Sequence, residues 1–274
     1  MTCTKGIKGL FTGLVSVFTL VGAAQAADVY IDGTGNQTVA TAIYRLSGIH
    51  NWVSTNEYYL KGFILVGSNA VLNIEAGTII RGVNDYHTGT EYRPGALIVE
   101  RGGKIYANGT ATNPIVMTDQ WDDHFPWKTG YGTGTTKTRT WRYHYGGTGY
   151  MHNSESYTYG QIGDLHGVWG GLVLCGKAFV NWDGKNYTQL GTATISVEGI
   201  DSSVGIVGGG NDDDDSSGEI RYLQIRYGGA ITTSKGKETN GLTLYGVGRG
   251  TVLDHIEVYN NQDDGIEWFG GTVN

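Results

Sequence analysis

The chain has 274 residues, a formal charge of −7, 46 glycines but only 3 prolines, and 18 tyrosines and 7 tryptophans. The acidic balance excludes nucleic acid and anionic lipid as main partners, because both need a basic face. Glycine is at more than twice its usual share without a three-residue period, and aromatics are plentiful, which excludes collagen-like and disordered classes and marks glycine as corner punctuation.

Residues 1–26 read as an export signal: Lys5 and Lys8, an apolar run from Leu10 to Ala23, and a small-x-small site at Ala24-Gln25-Ala26. The run is too short for a span of about 20 residues, and no other segment is long and apolar enough, so the mature chain carries no transmembrane segment. No cysteine follows the run where a bacterial lipid anchor needs one. The mature chain is expected to start at Ala27 and to be extracellular, at the outer surface or periplasmic. Loss of Lys5 and Lys8 takes its charge from −7 to −9. Cys3 leaves with the signal, so Cys175 has no disulfide partner, and within Leu172-Val-Leu-Cys175 it reads as a small buried side chain.

Residues 27–57 form an entry or cap segment with a strand from Asp28 to Gly35, a mixed stretch, and Trp52 as an anchor. Short strands then follow one another. Tyr59 to Val66, Val71 to Glu75 and Thr78 to Arg81 come before an excursion from Val83 to Pro94, and Ala96 to Glu100, Lys104 to Ala107 and Ile115 to Thr118 come after it. Asn113-Pro114 is a corner, because proline cannot donate into a ladder. Residues 119–164 break the pattern with Trp121, Trp127, Trp141, Tyr143 and Tyr145 among many Gly, Thr and Ser. They read as one long ordered loop against the side of the rod. Strands resume at Val168, Ala178, Thr194 to Gly199, Glu219 to Tyr227, Leu242 to Tyr245, Val252 to Tyr259 and Gly265 to Phe269. No window sustains a 3.6-residue apolar period, so helix is expected to be scarce.

These strands repeat one phrase. Gly67 to Thr78 matches Gly102 to Thr110, Ala96 to Glu100 matches Gly171 to Cys175, and Arg221 to Arg226 lies over Asp254 to Tyr259 at an offset of 33 residues. Repeated strand–corner units without helix predict a solenoid of stacked β-coils. The chain stops at Gly270-Gly-Thr-Val-Asn274 without a polar cap, which predicts further C-terminal sequence or a partner chain over an open end.

Gly-Ala-Leu-Ile-Val-Glu-Arg-Gly-Gly-Lys-Ile (95–105), Trp-Gly-Gly-Leu-Val-Leu (169–174), Val-Glu-Gly-Ile (197–200), Gly-Gly-Asn-Asp (209–212), Ile-Arg-Tyr-Gly-Gly (225–229) and residues 263–274 resemble secreted bacterial parallel β-helix proteins of the pectin-lyase-like class. The resemblance covers residues 58–274 outside the 119–164 insertion. It implies an all-β, right-handed, single-stranded parallel β-helix with three strands per coil and six to eight coils. It implies no particular activity. Members continue beyond the point where this chain ends, in line with an N-terminal fragment of a longer protein.

Residues that break the repeat are the candidates for chemistry. From Asp213 the sequence reads D-x-D-x-S-G-x-I, the first half of a calcium loop, with Asp213, Asp215 and Ser217 as candidate ligands; Gln224 stands where the closing Glu belongs. The competing reading is a solvated acidic corner. Asn-Gln-Asp-Asp (261–264) resembles the paired-aspartate motif of polygalacturonases, making Asp263, Asp264 and Glu267 candidate catalytic carboxylates; the competing reading is an Asp-Gly turn bonded to nearby backbone. Arg221 and Arg226 could serve as a lyase base or simply pair with aspartates. His124, His144 and His152 lack tight metal spacing. Trp121, Trp127, Trp141, Tyr143 and Tyr145 offer faces for sugar rings, with Asp122, Asp123, Arg139 and Arg142 near for hydroxyls, or else pin the loop to the rod. The leading expectation is a secreted or surface β-helix with a structural or binding role toward glycans or the cell envelope. The alternative is a polysaccharide lyase or glycoside hydrolase.

Overall fold

The structure, a computed structural model, describes residues 27–32, 43–83, 87–88, 91–92, 94–120, 122, 137–144, 150–157, 166–180, 194–200, 202–230 and 238–274. Its early strands are β1 (Ala27–Asp32), β2 (Ile43–Leu46), β3 (Ile49–Trp52), β4 (Asn56–Lys61), β5 (Phe63–Val66), β6 (Val71–Ile74) and β7 (Ile79–Val83). There follow β8 (His87–Thr88), β9 (Glu91–Tyr92), β10 (Ala96–Val99), β11 (Lys104–Asn108), β12 (Ile115–Asp119), β13 (Lys137–His144) and β14 (Tyr150–Tyr157). The last are β15 (Leu172–Cys175), β16 (Ile195–Ser196), β17 (Val207–Gly208), β18 (Gly218–Arg226), β19 (Leu242–Tyr245), β20 (Val252–Tyr259) and β21 (Ile266–Phe269).

The chain visits three ladders in rotation. The first is β2-β5-β10-β15-β19-β21, parallel throughout. The second stacks β3-β6-β11 and the third β1-β4-β7-β12. The first half of β18 continues β11, its second half continues β12, and β20 pairs along both halves. This is a right-handed parallel β-helix, the hand that twisted strands impose on parallel crossovers. Arg221 faces Asp254 and Ile225 faces Val258, the register that the 33-residue repeat predicts. No helix among the described residues is long and apolar enough to cross a membrane.

Period-two alternation sends one set of side chains into the coil. Ile64, Val66, Leu97, Val99, Leu172, Leu174, Leu242 and Leu244 pack there in line, together with Ile105, Met117 and Ile225 from the other two sides. The first ladder is also buried on its outer face. Phe63, Leu65, Ala96, Ile98, Val173, Cys175 and Tyr245 form a second cluster with Val180, Ile195, Val197, Ile200 and Ile206. Burial on both faces explains why these strands read as unbroken apolar runs.

Two expectations change. Residues 194–199 do not form a coil strand: β16 pairs antiparallel with β17, and this flap supplies the apolar cover for the first ladder. The coils also start before Tyr58, because β2 and β3 already pair in parallel with β5 and β6. They are hard to see in sequence because only Leu46 and Trp52 of their eight residues are buried. Both excursions carry antiparallel ribbons of their own, β8–β9 in the first and β13–β14 in the 119–164 insertion.

Candidate functional site: carboxylates around Asn240

The corner that follows β20 stacks on the corner that follows β18. Asn261 holds them together: its Oδ1 accepts from Gly228 N at 2.9 Å, and its Nδ2 donates to Asp264 O at 3.2 Å. A Cβ on Gly241 would sit 1.9 Å from Asn261 Nδ2, so only glycine admits this contact. The Asp-Gly turn is thus bonded to the preceding corner and projects Asp263 and Asp264 outward, where both are exposed.

Glu267 follows on β21, opposite Thr243 of β19, and accepts a hydrogen bond from Asn240 Nδ2. Asn240 is 2% exposed, and its Oδ1 has no hydrogen-bond partner among the described residues. Burial raises the Glu267 carboxyl above its ordinary range; the Asn240 bond opposes this, and the charges of Glu198, Asp264 and Asp263 reinforce it. Burial likewise raises Glu238, helped by the charge of Asp263, a hydrogen bond with Asp263 and the charge of Glu198. The fold therefore brings Asp263, Asp264 and Glu267 together and adds Glu238, Glu198 and Asn240. Sequence carried no signal for these three. Glu198 arrives on the covering flap, anchored by its backbone N–H to Tyr245 Oη at 2.7 Å.

Like charges gathered this way favour a retained proton, the property a general acid needs. The Glu238–Asp263 contact is direct, whereas an inverting glycosidase keeps its two carboxyls about 6.5–9.5 Å apart to admit water. A pair in direct contact leaves no place for a nucleophilic water between its members.

The acidic corner at 211–218 does different work. Asp215 is buried, and its Oδ2 accepts from Lys177 N at 2.9 Å. Asp213 Oδ1 accepts from Phe179 N at 3.2 Å. The alternate spacing of the two aspartates matches two alternate N–H groups on the chain leaving β15. Ser217 N donates to Thr251 Oγ1 at 2.8 Å, tying the corner to the next coil. The corner faces basic partners: Lys177 Nζ lies 3.8 Å from Asp215, and Arg249 lies 3.8 Å from Asp213 and 3.5 Å from Asp214. Among the described residues no group of three or more His, Cys, Asp or Glu is arranged for a metal ion.

Arg221 is bound by Glu219 at 2.5 Å and Asp254 at 2.6 Å, and Arg226 by Asp122 at 3.1 Å. Neither stands ready as a lyase base. Asp122 is 1% exposed and accepts from Thr118 Oγ1 at 2.7 Å as well, so it bolts the root of the insertion to the third ladder. Trp121, Trp127 and Tyr145 lie outside the described residues. Trp141 and Tyr143 occupy alternate positions of β13, opposite Asn153 and Met151, and their side chains lie outside the described set. The side chains of Asp123, His124, Arg139, Arg142, His144 and His152 do too.

Three parallel ladders enclosing one aliphatic stack define a protein of the parallel β-helix class. The family model for the pectate-lyase-like beta helix domain matches residues 48–160 and 156–274, and the chain belongs to that family. No curated protein and no solved structure gives a significant match to it.

Proposed function

We propose that this is an exported glycan-binding β-helix that contacts polysaccharide or the cell envelope through its aromatic insertion. The observation that carries this reading is the β13–β14 ribbon. Two eight-residue strands leave the rod between β12 and β15 and pair with each other, and among the described residues they join no ladder of the coil. An element that adds nothing to the ladders yet carries Trp141, Tyr143, Tyr150 and Tyr157 is suited to recognition, since aromatic faces stack on the apolar faces of sugar rings. Export rests on the character of residues 1–26. The test is retention of the protein on immobilised glycans and on isolated cell envelopes, without release of fragments. Trp127→Ala and Trp141→Ala should each reduce retention, and unchanged retention in both would reject the reading.

A second reading, polysaccharide cleavage, is favoured by the raised carboxyls of Glu238 and Glu267. Assays for new reducing ends and for unsaturated products, with and without calcium, address it directly. Turnover that disappears in Glu267→Gln and Asp263→Asn would establish it.

A further inference from the structure

The corner between the second and third ladders changes form along the rod. After β11 it is a loop closed on itself by the bonds Thr110 N to Asn113 O and Asn113 N to Thr110 O, at 3.1 and 3.2 Å. In the next two coils the loop is gone, and β18 and β20 run straight through the corner. A single residue turns each strand, Tyr222 at φ 48° and His255 at φ 53°. The surface therefore steps down beside the loop, leaving an open cavity of about 310 Å³. Thr110 and Pro114 form its wall, and Tyr222, His255, Gln224 and Glu257 form its floor.

The residues at the turning points are informative. Elsewhere among the described residues the left-handed backbone is mostly taken by glycine, as at Gly77 and Gly102, with Tyr227 at φ 62° and Asn260 at φ 52° the other non-glycine positions. Bulky side chains are strained there and persist where the surroundings or a function require them. Here both positions carry flat rings, stacked with centroids 4.3 Å apart. Because β18 lies between β12 and β20, His255 covers one side of Tyr222 while the 110–114 wall stands on the other. Asp254 Oδ1, 2.7 Å from His255 Nδ1, fixes the imidazole and leaves its Nε2 for another partner. Tyr222 Oη likewise has no partner among the described residues.

We propose that this step is a carbohydrate subsite, and that it takes a neutral hexopyranose chain. The ring of Tyr222 offers a flat apolar surface for the C–H face of a sugar, and Gln224, Glu257, Thr110 and His255 Nε2 surround it with hydrogen-bonding groups. The cavity is at the small end of ligand pockets, the size for one or two rings. Glu257 on the floor and Asp254 behind it disfavour a uronate carboxylate, and nearby Arg221 is already committed to Glu219 and Asp254. The subsite rests on the glycan-binding reading above and adds to it a second contact and a charge class.

The test is calorimetric titration of the full chain with β-1,4-linked hexasaccharides of glucose and of mannose, and with hexagalacturonate. Asparagine tolerates a left-handed backbone, so Tyr222→Asn and His255→Asn remove the rings without forcing the turn. Ala111→Trp, on the exposed loop beside the wall, fills the cavity without touching a ladder. Each of the three should weaken a neutral hexasaccharide by about tenfold and leave any hexagalacturonate binding unchanged. Wild-type affinity in Ala111→Trp overturns the subsite, as does preference of the cavity for hexagalacturonate. Loss only in Trp141→Ala overturns the subsite while the glycan reading stands, and failure of every glycan to bind the wild-type chain overturns both.

Discussion

Arg81 Nε lies 2.8 Å from Glu57 Oε2, on neighbouring strands of the third ladder, with side chains only 3% and 2% exposed. Arg81 also donates through Nη1 to the carbonyl oxygens of Asp119 and Asp122, and the Asp122 carboxylate passes the contact on to Arg226. A line of charge therefore crosses the outside of β4, β7, β12 and β18 beneath the root of the insertion. Buried charges persist only when fully paired, and here each group satisfies the next.

Removing one member should be costly because it strands the other. Arg81→Met is expected to lower unfolding free energy by about 3–5 kcal/mol, since Glu57 stays buried without its partner. The double variant Arg81→Met, Glu57→Gln should recover much of that loss. Urea midpoints would show it, and an unaltered midpoint in the single variant would disprove the coupling.

The acidic corner is a clamp on backbone N–H groups, so its residues should differ sharply in weight. Asp215→Ala leaves Lys177 N–H unsatisfied and should cost about 1–3 kcal/mol. Asp214, whose side chain is 82% exposed, should change stability by no more than about 0.5 kcal/mol when replaced by alanine. Because the Asp215 bond is to backbone, the loss should be the same in calcium and in chelator. Thermal melts in both media measure this, and equal melting temperatures for Asp214→Ala and Asp215→Ala would contradict it.

Glu238 and Glu267 both titrate above the ordinary glutamate value of 4.5. The folded chain thus holds protons that the unfolded chain has already lost. Stability from these groups is fully present below the unfolded pKa and falls as pH rises through the folded pKa. Glu238→Gln and Glu267→Gln remove that dependence, so their melting temperatures should decline less than wild type between mildly acidic and neutral pH. Parallel curves for variant and wild type would show that the carboxyl cluster is not coupled to folding.

Burial raises the Cys175 thiol far above its usual range, with the Glu100 charge adding to the effect and Arg101 opposing it. The side chain is 0% exposed on the covered face of the first ladder. Labelling by a thiol reagent should therefore be negligible in the native protein and complete in denaturant. Prompt native labelling would mean that the 195–208 flap does not cover this face.

Much of the coil was legible in the residues, and particular strands show why. Leu223 and Ile225 against Ile256 and Val258 carry a period of two and an offset of 33, and the structure pairs them in that register. The 194–199 segment has the same alternation yet folds as a flap, because an apolar alternating segment can cover a sheet as well as join one. β2 and β3 were obscure for the opposite reason: their outer positions are exposed, so only one residue in each announces the core. At the candidate site Asp263, Asp264 and Glu267 were legible as a motif. Glu238 and Glu198 were not, since each reaches the cluster from a different corner or flap.

What the sequence determined by itself is the coil, because strand alternation, glycine corners and repeat length are local properties that survive without knowledge of neighbours. Tertiary structure alone decided which charges meet. Asp122 finds Arg226 across 104 residues and Asp215 finds the Lys177 backbone across 38, separations set by the lengths of insertions between coils. Stacking converts those lengths into adjacency. Asp213 and Asp215, spaced like metal ligands, thereby clamp backbone N–H groups, while Glu238 and Glu267 become carboxyls raised above their ordinary range by burial.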